Sequence, residues 1–536
     1  MTYYLLLETS DRLLTENGDR ILLEQAPAGA AYFVRRFTHI FLAEIEAYDP
    51  ATETTKVWLF ASGSGFDSSG DFYSPRMENP ATFSRSMSGL SGRTGQSWGE
   101  LTLLNPDNAI AALGEDFFDG RTLTLKWGDR DGSYASFTTI LTATIETLAV
   151  EKDRISLRLR DKSITLEKPF ATVKYAGDNE LPLGVEGTAD DIKGQIKPRI
   201  FGRIALMQPI LVNTSKLIYQ VNEQAVDAVI NAFDGGAYLT KATDYLSLSD
   251  LYTYDPPAGQ WRAYPPLGLI RLGSTPINTL SVCVAEKWDH LQNSAAGLIQ
   301  RILTEKGYTS ANWVAADFTA LNQKNAGSLG IVVDGEETTA SLLDRICESV
   351  GAWWGFDALG KFRCGRFDEP SGTAAATLSD DIIIDAEREP ESQLPFWSVK
   401  MTADINYAVQ DKNGLAGVVT EQRAAWLKES AREQEAVNAT VKTTRLLADE
   451  ITYDSSLNGI SIAQAEAARR LNLYSVRRDV VTLTIANPQN YYTTLDLGAV
   501  VNLASTRLGY GTGRLMTVTA VGVDYQRNTM DLTLWG

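Results

Sequence analysis

Apolar and polar residues alternate in short runs along much of the chain, and that period of two predicts antiparallel strands. Arg154 to Arg160 is the cleanest run. It sets Ile155, Leu157 and Leu159 on one face and Ser156, Arg158 and Arg160 on the other, as a half-buried strand requires. Similar runs at Phe41 to Tyr48, Thr55 to Phe60, Glu100 to Leu104, Arg121 to Trp127 and Phe137 to Leu148 make residues 32–197 a first β-barrel or sandwich domain. A stretch rich in Gly, Asp and Pro, Thr172 to Lys197, closes that domain near Pro198. Residues 198–290 continue as a second β region. Within it, Tyr252 to Pro266 places Pro256-Pro257 and Pro265-Pro266 around Trp261. Proline continues neither a helix nor a central strand, so this stretch reads as an aromatic loop.

The period then changes to that of a helix. Leu298, Ile299, Ile302 and Leu303 form one face of Ala295 to Lys306, and Leu342, Leu343, Ile346 and Val350 one face of Ala340 to Val350. Thr338 to Ser341 supplies an N-cap for the second helix and Gly351 a C′ glycine. With short apolar runs around them, residues 291–375 read as a small α/β domain. Residues 376–536 read as a C-terminal β domain with one helix, Ile462 to Tyr474, and closing strands at Asp479 to Ile485, Ala499 to Leu503, Leu515 to Asp524 and Met530 to Trp535. Glu421 to Asp449 is charged and weakly patterned, and no element is assigned there. Residues 1–25 repeat with a period of eight, which keeps each side chain on one face of a strand; they read as an N-terminal β-ribbon followed by a linker, Ala26 to Ala31. The expected fold class is therefore mainly β (α+β), with several antiparallel barrel or sandwich domains and one small α/β unit.

Composition narrows the function more than the fold. At 536 residues the chain should hold roughly three or four domains. Its 49 Lys+Arg against 67 Asp+Glu give a net charge of −18, the wrong sign for gripping phosphates. No run approaches the roughly 20 apolar residues of a membrane span, and the start of the chain lacks a leader pattern, so a soluble chain is expected. Two histidines, His39 and His290, each lack a second ligand at metal spacing, and three cysteines, Cys283, Cys347 and Cys364, match neither a disulfide framework nor a zinc pattern. No G-x-S-x-G elbow surrounds a nucleophile, and the glycine-rich Ser62 to Gly65 and Gly509 to Gly513 lack the end of a phosphate loop. The expectation is no catalytic residue, no metal and no cofactor.

Several motifs resemble those of the hub proteins at the distal end of long phage tails, of the siphophage and gene-transfer-agent type and, more remotely, of contractile-tail baseplates. The run Leu497 to Leu503, Gly513 to Val518 and Met530 to Gly536 resembles that family's terminal barrel. Ser341 to Ile346 with Gly351 to Arg363 is similar to its small α/β unit. The resemblance implies a non-enzymatic virion component assembled in the host cytoplasm: a homotrimeric ring at the tail's distal end. Its partners would be tail-tube and distal tail proteins, the tape-measure protein, and tail fibres or a central spike. DNA would meet it only in transit through the channel, and the host envelope only indirectly. Exposed sheet edges would be paired or covered by ring closure. Two other classes fit the residues: a receptor- or carbohydrate-binding tail protein using the Tyr252 to Pro266 loop, and a tail-associated cell-wall hydrolase whose two carboxylates converge in space. Trp535 and Trp261 are the candidate partner contacts. Trp535 shares a face with Asp531 and Thr533, opposite Met530, Leu532 and Leu534, so a loop or a neighbouring subunit should cover it.

Overall fold

The computed structural model describes residues 39–68, 70–87, 91–390 and 395–536; the expected ribbon over 1–25 lies outside them. Seven strands close the first barrel. Their spatial order is Thr54–Ser62, His39–Asp49, Thr122–Asp129, Thr138–Val150, Arg154–Arg160, Glu100–Leu104 and Phe72–Pro80, and the last pairs back on the first, with Phe60 opposite Ser74. Alternation works as the sequence implies: Ile155, Leu157 and Leu159 are buried, while Arg154, Arg158 and Arg160 are exposed. Ala43, Ile45 and Ala47 fill the interior from His39–Asp49. On the outer side of that strand Ile40 and Leu42 are covered by Phe66 and Tyr73.

Thr82–Met87 and Gly92–Trp98 leave this barrel and enter a ten-stranded sheet built mostly from the end of the chain. Its main path runs Phe362–Arg366, Ala352–Phe356, Gly92–Trp98, Thr82–Met87, Arg514–Asp524, Thr529–Trp535, Asp479–Ala486 and Ile383–Pro390. Val500–Ala504 pairs with Arg514–Asp524, and Ala376–Ser379 with Val500–Ala504. One apolar core runs from Ala43 and Leu125 through Val481 and Leu532. The expected segments 32–197 and 376–536 thus share a sheet and a core. The two crossing strands read poorly because they are largely polar: of TFSRSM and GRTGQSW only Phe83, Arg85, Gly92 and Thr94 are buried. In the terminal strand Met530, Leu532 and Leu534 are buried on one face, as the alternation predicts. Leu532→Ala should cost about 2 to 5 kcal/mol as a large-to-small core change. A chemical-denaturation curve indistinguishable from the unsubstituted chain's would take this strand out of the core.

The small α/β unit comprises the helices Ala295–Glu305, Ala315–Lys324 and Thr339–Val350 around Gly330–Val333 and the hairpin Ala352–Phe356/Phe362–Arg366. The third helix is capped as expected: the Ser341 N–H donates to Thr338 Oγ1 at 3.1 Å, and Gly351 takes a left-handed φ of 66°. Ala352–Phe356 is buried throughout because two cores meet across it. Trp353 enters the barrel core and Trp354 the core of the small unit, successive residues pointing to opposite faces.

In the second β region, Arg199–Met207 and Leu280–Ala285 pair within a six-stranded sheet, beside a five-stranded one. The expected aromatic loop is overturned here. Leu248–Thr253 is a short helix, and Gln260–Tyr264 is an interior strand of the five-stranded sheet, between Leu269–Leu272 and Thr240–Lys241. The four prolines flank those five strand residues and none lies within them, so they cost the ladder nothing. The unassigned charged stretch forms the helix Glu421–Lys428, the strand Arg432–Val437, the helix Ala439–Thr444 and the strand Asp449–Tyr453. The two strands flank Phe396–Ala403 in a small sheet beneath the helix Ile460–Tyr474. Of the six residues in Arg432–Val437 only Ala436 is buried, which is why no apolar period shows there.

Candidate assembly site

Both candidate contact residues lie inside the chain, in different cores. Trp261 is fully buried; its Nε1 donates to the Leu239 carbonyl at 3.2 Å and Lys241 Nζ sits 5.1 Å from the ring centre. Trp535 is buried against Phe367, with ring centres 4.6 Å apart, and the Arg478 guanidinium lies 4.9 Å from the indole. The cover that alternation demanded therefore comes from Phe367 and Leu473 of the same chain, and no neighbouring subunit is needed for it. Neither side chain is free to meet a partner in this conformation.

The terminal strand is held instead by a charge cluster that the sequence reading did not single out. Asp479 opens the strand Asp479–Ala486, and its side chain is fully buried. It accepts from Tyr510 Oη at 2.6 Å, Arg388 Nη2 at 2.8 Å, Arg514 Nη1 at 3.1 Å and Arg477 Nε at 3.4 Å. Burial pushes its carboxyl pKa up, but the Tyr510 hydrogen bond and the Arg388 and Arg514 guanidinium groups outweigh burial and hold it below the usual value. The backbones of Asp479 and Gly536 exchange two hydrogen bonds, at 2.9 and 3.1 Å, and Arg514 Nη2 donates to the Gly536 carbonyl at 2.7 Å. The only sequence signal was an Arg-Arg-Asp triplet ahead of an apolar strand.

Arg388 belongs to Ile383–Pro390, the last strand of the ten-stranded sheet. Among the described residues this strand pairs on one side only, with Asp479–Ala486. It leaves Ile384 60 % exposed and carries Asp385, Glu387 and Glu389. The adjoining sheet face is a cleft of about 590 Å³ with a mixed lining that includes Ser84, Thr482, Asp385, Glu387, Val521 and Leu532. An unpaired edge of this length is a surface on which another strand can add.

The seam between the small unit and the shared sheet is also ionic. Asp496 accepts from the fully buried Arg85 at 2.6 Å and lies 3.5 Å from Arg363, which pairs with Asp317 at 2.5 Å. Residues near 85, 317, 363 and 496 are thereby tied together. On the other side, Asp344 and Glu348 of the capped helix converge on Gly92, where a Cβ would lie 3.7 and 3.6 Å from their carboxylate oxygens. Burial pushes both acids above their ordinary pKa, and for Glu348 the neighbouring Asp344 carboxylate adds to the rise. An acid whose pKa is higher folded than unfolded binds extra protons in the folded state, so this seam loses stability as pH rises through the upper carboxylate range. Trp354 Nε1 donates to Asp344 Oδ1 at 2.7 Å, a bond an amide oxygen can also accept. Asp344→Asn should therefore raise the melting temperature at neutral pH and flatten its dependence between pH 4 and 7, roughly the range in which carboxylates are titrated. A lower melting temperature at pH 7 would contradict this.

Among the described residues no group of three His, Cys, Asp or Glu side chains could hold a metal ion. His39 stacks on Trp127 with ring centres 4.5 Å apart, and His290 is exposed on a loop. The three cysteines are free and buried, and burial pushes their thiols up in pKa.

No protein-family model matches the chain, and no curated protein matches it in sequence. Similar solved structures include a tail protein from Neisseria meningitidis MC58, at 11 % identity and a TM-score of 0.40, covering 93 % of this chain and 97 % of that one. A 43 kDa tail protein of prophage MuSo2 from Shewanella oneidensis is similar at 10 % identity and a TM-score of 0.38, covering 88 % and 97 %. A chain of the native gene transfer agent virion is similar at 14 % identity and a TM-score of 0.40, covering 65 % and 85 %. All three are described as tail or virion proteins.

Proposed function

We propose that this chain is a structural component of a long phage tail or a gene-transfer-agent tail: the hub that joins the tail tube to distal fibres or a spike. Three copies close a ring around the channel through which the tape-measure protein and the genome pass, and the chain performs no catalysis. The observation that carries this reading is the joining of the seven-stranded barrel to the C-terminal sheet through one core. The strands of the segments Leu497 to Leu503, Gly513 to Val518, Met530 to Gly536 and Gly351 to Arg363, which resemble a hub's terminal barrel and α/β unit, lie in one continuous sheet with residues 82–98, and that sheet ends on the open strand Ile383–Pro390. A continuous sheet open at one edge suits a part completed by its neighbours. The net charge of −18 supports transit of DNA, since like charge repels phosphates and discourages sticking. The receptor-binding alternative loses the loop it invoked, because Gln260–Tyr264 is an interior strand and Trp261 a core residue.

Immunogold labelling of purified particles with antibody against the native chain tests the location. Label confined to the tip opposite the head is the expected result. Label along the shaft, on the head or nowhere on the particle would contradict it.

A further inference from the structure

The open strand Ile383–Pro390 carries charges that restrict what can pair with it. Asp385, Glu387 and Glu389 share one face, beside Thr484, Thr482 and Val480 of the strand they pair with, and all three are exposed. Among the described residues none of the three is in an ion pair, and the strand's one cation, Arg388, is held by Asp479 at 2.8 Å and by the Leu508 carbonyl at 2.9 Å. Two copies of this edge laid against each other would set acid against acid, which disfavours self-pairing. A strand that adds here must bring cations, and beside them it meets the exposed Ile384.

A segment of the same chain has that chemistry. Tyr32 to Thr38, YFVRRFT, lies outside the described residues and runs directly into the first strand, His39–Asp49. It is made of β-branched and aromatic residues around two arginines, with no Gly, Pro or acid. Side chains alternate along an extended chain, so Arg35 shares a face with Phe33 and Phe37, and Arg36 with Val34. Either register therefore turns one arginine toward the acid row.

The point at which this segment leaves the barrel decides whose edge it meets. His39 stacks on Trp127, Trp127 meets Tyr492 edge-on with ring centres 6.1 Å apart, and Tyr492 Oη donates to Asn528 Oδ1 at 3.1 Å. The Asn528 carbonyl in turn accepts from the N–H of Asn487, the residue after the strand Asp479–Ala486. The chain's own open edge lies beyond that strand. Seven extended residues reach about 23 Å and an eight-residue strand runs about 26 Å, so the segment pairs along an edge only if that edge begins where the segment does. A neighbour's edge docked at His39 meets that condition, and the chain's own edge, one strand further off, does not.

We propose that residues 32–38 of one copy add as a strand to the open edge Ile383–Pro390 of the next, so that each contact in the ring is an exchanged arm. This rests on the hub reading and names the segment that closes its ring. Oxidative cross-linking in purified particles tests it, with Glu387→Cys combined in one chain with Phe33→Cys, Val34→Cys, Arg35→Cys, Arg36→Cys or Phe37→Cys in turn. Directly opposed residues of adjacent strands lie within disulfide reach, and the native Cys283, Cys347 and Cys364 are buried. The expected result is covalent dimers and trimers with at least one of the five, and a yield that falls about threefold or more when Asp385→Lys and Glu389→Lys are added. A cross-linked single chain in place of dimers, which puts the segment on its own edge, no cross-link with any of the five, or a yield indifferent to the two charge reversals would each overturn the exchanged arm. Those outcomes leave the chain at the tail tip and the hub reading standing, whereas particles that lack the chain overturn both.

Discussion

Trp261→Ala is expected to destabilise the second β region by about 3 to 5 kcal/mol, the range for deleting a fully buried aromatic ring. The indole packs with Tyr219, Val221, Val229 and Ile270, its Nε1 is satisfied by the Leu239 carbonyl, and its strand lies inside a five-stranded sheet. Truncation removes the ring's contacts, leaves a cavity and orphans the Leu239 carbonyl. Denaturant unfolding followed by fluorescence reads the loss directly. A change below about 1 kcal/mol would mean that the ring is not packed as described.

Asp479→Ala should be as severe, about 3 to 5 kcal/mol, because it strands a set of like charges around a buried position. Arg388, Arg514 and Arg477 converge there, and among the described residues Asp479 is the only carboxylate paired with them. Asp479→Asn keeps the shape but not the charge and should not restore stability. The sign of the pH effect follows from the lowered folded pKa. Stability from this cluster is fully present above the ordinary carboxylate value of 3.8 and is lost as pH falls through the lower folded value. Acid titration of the melting temperature should thus show a steeper decline below pH 4 in the unsubstituted chain than in Asp479→Asn, about one unit either side of the carboxylate range. Equal slopes would deny the cluster its role, and so would a mild effect of Asp479→Ala.

These two residues also mark how far the sequence could be read. Strands with one solvated face were legible to the residue, as at Arg154–Arg160 and Glu100–Leu104, because burial and period coincide there. The helix Ile460–Tyr474 was legible to within two residues, yet it buries Arg470 and Glu466 as an ion pair at 2.9 Å. Composition cannot distinguish such a pair from two solvated charges. The crossing strands at 82–98 escaped because, Phe83 apart, what they bury is Arg85, Gly92 and Thr94, and Gln260–Tyr264 because proline punctuation was read as filling the stretch instead of framing it. Trp535 was placed on the correct face of its strand, but what covers it, Phe367, is a long-range partner. The Asp479 cluster failed for the same reason: Arg388 and Arg514 are 91 and 35 residues away, and no local pattern announces a contact at that separation.

Single-particle cryo-electron microscopy of intact tails, with the distal end reconstructed without imposed symmetry, is the most direct measurement of the central claim. The account predicts a closed ring of three copies at the distal end, with the shared ten-stranded sheet intact in each and the strand Ile383–Pro390 in contact with a neighbouring chain. A distal end that lacks this chain, or a chain present there as one copy or six with that edge facing solvent, would contradict it.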